Sequence, residues 1–258
     1  MKKVVLITGA SDGLGREFAS KYASQGYKTV LVSRNEDKLE QVSAEINQSG
    51  GDCEYIKADL SEPTAPEKIF DYLSSKKIKV HSLINNAGLG DHGDFISCDI
   101  KKQQDIVEVN ILALTKLCRL ALNDMNALNS GLILNVSSTA AFQPGPFMSV
   151  FFASKSYVLS FSEALRNELS GSGIRVVCLC PGPINTPFLK NSKMEDSNIL
   201  QTIKPMDAKR VVYLTMKGIS ANKSVIIPGV LNRFIALGYR LLPRNLVTSL
   251  SRHVVEDI

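Results

Sequence analysis

The stretch Asn135-Val-Ser-Ser-Thr-Ala-Ala-Phe-Gln-Pro-Gly-Pro-Phe-Met-Ser-Val-Phe-Phe-Ala-Ser-Lys155 joins an apolar run to a long helical pattern. The run from Gly131 to Ser137 reads as a buried strand, and Ser138 stands at its end. Phe151 and Lys155 are four residues apart near the start of a helix expected over 150–170, hence on one face. A serine at a strand end opposite a lysine at a helix start is the geometry of a site. A general acid is expected there as well, and Phe151 has no proton to give.

Outward from that stretch, short apolar runs alternate with amphipathic segments. Strands are expected over 3–8, 28–33, 53–57, 80–85, 131–137, 174–180 and 224–227, with helices near 14–25, 36–49, 63–76, 103–128, 150–170 and 207–219. Such alternation predicts an α/β fold, a Rossmann-type doubly wound parallel sheet of about seven strands. Its right-handed crossovers leave a ligand crevice at the carboxyl ends of the strands. Residues 1–228 make one domain in this reading, and 229–258 a helical extension.

The totals fit that picture. A chain of 258 residues with 44% apolar content can bury a large core without staples. Five cysteines, whose only close pair is Cys178-x-Cys180 in an apolar run, match neither a zinc site nor a redox Cys-x-x-C, so they read as reduced thiols, and no metal is expected. The apolar stretch after Lys2-Lys3 stops at Thr8-Gly9, too soon for a signal peptide or a membrane span, so the cytoplasm is the expected location. The net charge of +5 is spread among scattered cations, so nucleic acid is not an expected partner.

Polar residues mark each expected strand end. The first turn, Thr8-Gly9-Ala10-Ser11-Asp12-Gly13-Leu14-Gly15, lets backbone N–H groups approach a pyrophosphate at a helix start, although a glycine turn can also be purely structural. At Ser33-Arg34 a guanidinium stands where a ribose-binding acid is usual, and it suits a 2′-phosphate unless it is a solvated loop arginine. Glu36 and Asp37 come late and open a helix, where carboxylates favour the dipole in any case. Asp59-Leu60 and Asn85-Asn86-Ala87-Gly88 fall where an adenine and its ribose would lie, or merely close turns. Asn110 sits in an apolar helix as a core amide or as an anchor for a water and for Lys155.

Thr8-Gly9-x-x-x-Gly13-x-Gly15, Asn85-Asn86-Ala87-Gly88, Asn110, Asn135-Val136-Ser137-Ser138, Lys155 and Pro181-Gly182-Pro183-Ile184-Asn185-Thr186 occur in an order and spacing that resemble the short-chain dehydrogenase/reductases over residues 3–228. The resemblance implies carbonyl reduction, or its reverse, with NADP(H). It places the cofactor on Gly9, Ser11, Asp12, Gly13, Leu14, Gly15, Ser33, Arg34, Asp59, Leu60, Asn86, Ala87 and Gly88. The nicotinamide end falls to Lys155, Pro181, Gly182, Ile184 and Thr186. It gives catalytic parts to Ser138, which bonds the substrate carbonyl, to Asn110, which holds a relay water, and to Lys155, which lowers the pKa of a tyrosine four residues before it. Homodimers or homotetramers through the helices near 103–128 and 150–170 are common in such proteins.

The chain departs from the pattern at the acid. Four before Lys155 and thirteen after Ser138, both counts land on Phe151. Tyr157 points roughly 240° away on the same helix and cannot substitute. A lost general acid implies a rate loss of about 10²–10⁴-fold or more. The chain is then an otherwise complete enzyme inactivated by a tyrosine-to-phenylalanine substitution, a natural NADP(H)-binding sensor or scaffold, or an enzyme redirected to chemistry that needs no phenol. Phe142, Phe147, Met148, Phe188 and Leu189 suggest an apolar ketone or 3-oxoacyl substrate, and the aperiodic stretch 188–206 reads as a mobile lid. The tail, with apolar positions 230, 231, 234, 235, 237, 241 and 242 and Arg233, Arg240, Arg244 and Arg252, reads as a basic amphipathic helix. It rests on a membrane surface, on a sister subunit or on the lid.

Overall fold

The computed structural model describes residues 2–194, 197–239 and 242–256, the side chains of 201 and 202 excepted. Seven strands, β1 (Val4–Thr8), β2 (Lys28–Ser33), β3 (Asp52–Lys57), β4 (Val80–Asn85), β5 (Gly131–Val136), β6 (Ile174–Leu179) and β7 (Val225–Ile226), form one sheet in the order 3-2-1-4-5-6-7. Every neighbouring pair is parallel, as the alternation of strands and helices predicts. The strand order reverses between β1 and β4, which opens a crevice above their carboxyl ends.

Residue period decides which layer each strand side chain joins. Val4 and Leu6 of β1 pack into the layer of α3 (Ala65–Ser75), α5 (Leu114–Leu128) and α6 (Ser149–Glu168). Val5 and Ile7 face the opposite layer, made by α1 (Gly13–Ser24), α2 (Glu36–Gln48) and α9 (Ala208–Ser220). Both faces of the sheet are therefore apolar, and β5 is buried along its whole length. All five cysteines are free, four of them buried.

Three sequence expectations are corrected. The helix expected over 103–128 is α4 (Ile100–Val107), then a π-helical stretch from Glu108 to Ala113, then α5. Asn110 lies within the widened turn, a distortion that apolar periodicity does not reveal. The aperiodic 188–206 region contains two short helices, α7 (Pro187–Asn191) and α8 (Ile199–Thr202), while Glu195 and Asp196 lie outside the described residues. The tail is two helices, α10 (Val230–Gly238) and α11 (Arg244–Val255), because Pro243 cannot continue a helix and caps the second one instead. Arg240 and Leu241 lie outside the described residues.

Candidate active site

The β1–α1 turn is held from below by the end of β4. Gly9 and Gly13 take φ of +63° and +51°, which a residue with a Cβ rarely adopts. The Asn86 side-chain amide donates to the Thr8 carbonyl at 2.9 Å and to the Gly9 carbonyl at 3.0 Å. The Thr8 hydroxyl accepts from the backbone N–H groups of Asn86 and Ala87, both at 3.0 Å. Asp12, the N-cap of α1, makes no side-chain cap bond and instead meets Lys38 at 3.1 Å. The first-turn N–H groups of α1 are thus left facing the crevice, a cradle suited to the pyrophosphate of a dinucleotide. A methyl on Gly13 would lie 3.0 Å from Thr186 Cγ2, so glycine keeps that passage open.

The crevice holds about 590 Å³. At one end, Arg34 is exposed and 3.8 Å from Asp59, whose other oxygen accepts from Ser61. The Ser33 hydroxyl donates to Ser11 at 3.0 Å. Lys38, which the sequence reading did not single out, adds a second cation to the wall. Glu36 turns to Lys57 at 3.0 Å, and neither Glu36 nor Asp37 lines the crevice.

At the other end the β5–α6 connection brings Ser138, Phe151 and Lys155 to one cavity, together with Pro181, Gly182, Ile184 and Thr186 from the loop after β6. Ser138 caps a short 3-10 turn, accepting from Ala140 N–H at 3.1 Å, and donates to the Pro181 carbonyl only at 3.4 Å. That long bond leaves its hydroxyl proton easy to redirect. Lys155 is buried; its ammonium donates to the Val136 carbonyl at 3.1 Å, and burial pulls its pKa down to about 8. Phe151 packs edge-on to Phe152, with ring centroids 6.0 Å apart, and against Phe188 at 5.7 Å.

Gly88 lies close to both Lys155 and Asn110. A Cβ there would sit 3.3 Å from Lys155 Nζ and 3.4 Å from Asn110 Oδ1. Asn110 itself does not line the cavity. Its side-chain amide donates to Leu89 O and Ser154 Oγ, both at 2.9 Å, and its side-chain carbonyl accepts from Leu89 N–H at 2.9 Å, so these side-chain groups are bonded within the wall behind the cavity. Gly15 is likewise absent from the lining: a methyl there would collide with the Gly9 carbonyl, so its place is in packing α1 under the turn.

Gly9, Ser11, Asp12, Gly13, Leu14, Ser33, Arg34, Asp59, Leu60, Asn86, Ala87 and Gly88 all face the crevice. Of the expected apolar wall, Phe188 and Leu189 line it, whereas Phe142, Phe147 and Met148 do not. Phe147 is drawn away to His92 and Arg252. The sequence reading missed Phe152, Met194, Ile199 and Gln143, which also line the cavity. Gln143 Oε1 is buried without a partner. Only the folding of the connection after Ser138 aims it inward, and no local pattern marks it.

A model of the family described as short chain dehydrogenase matches residues 3–197. Among curated proteins, 17-beta-hydroxysteroid dehydrogenase type 3 of Mus musculus is 35% identical over 200 residues, 75% of this chain and 65% of that one. Very-long-chain 3-oxoacyl-CoA reductase of Anas platyrhynchos is 34% identical over 195 residues, 73% of this chain and 62% of that one. The chain thus spans somewhat under two thirds of the length of these relatives. Among solved structures, a short-chain dehydrogenase from Sphingobium yanoikuyae in complex with NADPH superposes with a TM-score of 0.82 at 30% identity, covering 93% of each chain. A short-chain dehydrogenase/reductase from Burkholderia phymatum in complex with NAD gives 0.83 at 26% identity, covering 100% of this chain and 98% of that one. Fold and sequence agree, and the chain belongs to the short chain dehydrogenase family.

Proposed function

We propose that this protein is an NADP(H)-linked oxidoreductase for the carbonyl of an apolar substrate, a ketone or a 3-oxoacyl group, in which Phe151 occupies the proton donor's position and turnover is strongly reduced. The observation that carries this reading is the convergence of Ser138, Phe151 and Lys155 on one cavity continuous with the α1 cradle. The cofactor, when bound, supplies or accepts the hydride. Ser138 turns its hydroxyl from the Pro181 carbonyl to the substrate carbonyl. Lys155, charged at neutral pH even with its pKa near 8, holds a ribose hydroxyl beside Gly88. Phe151 presents only ring carbon where a proton is needed, so that proton comes from water.

Arg34 and Lys38 supply cations where an NADP 2′-phosphate would lie, which supports NADP(H) over NAD(H). The apolar lining of Phe151, Phe152, Phe188 and Leu189, and the names of the two relatives, support a bulky apolar carbonyl. The test is NADPH oxidation by the chain and by Phe151→Tyr, side by side, on apolar ketones and 3-oxoacyl thioesters. A rise of about 10²-fold or more with tyrosine is expected.

A second reading is favoured by the packing of Phe151 between Phe152 and Phe188, in which a ring without a hydroxyl is fully accommodated. In it the protein binds NADP(H) as a sensor or scaffold. Tight NADPH binding with no turnover by either form would establish it.

A further inference from the structure

We propose that the outward faces of α10 and α11 dock the protein on an anionic lipid bilayer, beside the mouth of the substrate cavity. In α10 the usual arrangement is inverted. Asn232 and Ala236 are buried, whereas Val230, Phe234 and Leu237, spaced i, i+4, i+7 on the opposite side, are 71%, 72% and 49% exposed. Leu231 widens the stripe, and Leu246 and Leu250 of α11 repeat it at i, i+4. A surface helix with its apolar stripe turned to solvent calls for a covering.

Charge selects the covering. From Val230 to Val255 the chain carries four arginines, Arg233, Arg240, Arg244 and Arg252, and no acid. Arg252 is paired with Glu256 at 3.6 Å. Arg233 flanks the α10 stripe and Arg244 opens α11, both exposed. Two copies meeting through this face would bring cations against cations, which is costly, whereas lipid phosphates and anionic headgroups supply the opposite sign around an apolar interior. No helix among the described residues is long and apolar enough to cross a membrane, so the contact is with the bilayer surface.

The position links the face to the site. Asn232, on the buried side of α10, donates to the Pro228 carbonyl at 2.8 Å and packs against Gly182 of the cavity loop. Val255, at the end of α11, joins the apolar cluster of Phe151, Phe152 and Met194. If the carbonyl-substrate reading above holds, an apolar substrate would pass from the bilayer into the cavity without crossing water. The docking itself does not depend on that reading.

The test is co-sedimentation of the full chain with vesicles of phosphatidylcholine alone or with about one third phosphatidylglycerol, in the absence of cofactor and substrate. Binding to the anionic vesicles is expected, with a fall of at least about tenfold in half-molar salt and in Arg233→Glu/Arg244→Glu. A similar fall is expected in Leu231→Ser/Phe234→Ser, with Phe95→Ser, an exposed apolar residue elsewhere, as the unaffected control. Thermal melting of each variant confirms that it is folded. No binding to anionic vesicles, equal binding to both lipids, or equal binding by Leu231→Ser/Phe234→Ser would overturn the proposal. So would dissociation of a lipid-free oligomer by that double variant, which would give the face to a second copy.

Discussion

The ammonium of Lys155 lies over the ring of Phe151, 5.6 Å from its centroid, one turn along the same helix. The contact is a cation facing an aromatic quadrupole, and it keeps the charge beside the ring that a phenol would replace. Introducing Phe151→Tyr therefore gives Lys155 an anion to stabilise. The restored activity should vanish again when Lys155→Met is added in the tyrosine background, with the two effects strongly non-additive. Additive losses in steady-state kinetics would mean that the two residues act independently.

Lys155 also sets a pH dependence of stability. Its pKa is about 8 in the folded protein against 10.5 for an ordinary lysine, so between those values the unfolded chain binds more protons. Stability from this group therefore rises as pH increases from about 8 to 10.5, by about 3 kcal/mol in all, and below pH 8 the full cost of burying the charge is present. Urea unfolding of the native chain and of Lys155→Met across that range isolates the effect. The native chain should gain on the variant as pH rises, since the opposing loss from Cys118, whose thiol is pushed up to about 12, is common to both.

Arg34 is exposed and only loosely tied to Asp59, hence free to meet a 2′-phosphate. Arg34→Ala should weaken NADPH binding by about tenfold, the worth of one charge-assisted contact, and leave NADH binding nearly unchanged. Titration calorimetry with both dinucleotides measures this, and equal losses for the two would remove Arg34 from cofactor choice.

Asn86 spends its amide on two carbonyls of the β1–α1 turn. Asn86→Ala leaves both without that donor and should cost about 1–3 kcal/mol in urea unfolding, together with weaker dinucleotide binding. A loss of binding at unchanged stability would instead mean that the amide touches the cofactor directly.

Gln143 presents a buried oxygen that lacks a partner in the cavity wall. Gln143→Leu keeps the volume and removes the orphan acceptor, so the ligand-free protein should gain stability, on the order of 1 kcal/mol. A lower melting temperature for the variant would count against an unsatisfied oxygen.

The local content of the sequence determined much of this protein. Alternating apolar runs dictate one parallel sheet between two helical layers because each strand must bury both faces, and glycines at positions 9 and 13 announce a turn needing positive φ. The four-residue spacing of Phe151 and Lys155 puts them on one helical face, and α6 keeps them there. What depends on contacts distant in sequence was not legible. Asn110 carries the polarity of a site residue, but the partners its side chain takes, Leu89 and Ser154, lie 21 and 44 residues away. Gln143 and Lys38 line the cavity only because connections from different strands converge there. The tail's apolar periodicity was visible, but the face it turns to solvent was decided by the packing of Asn232 on Gly182 of the loop after β6, a contact distant in sequence. Periodicity specifies a helix and its stripe; the partner that each face meets is a property of the assembled chain.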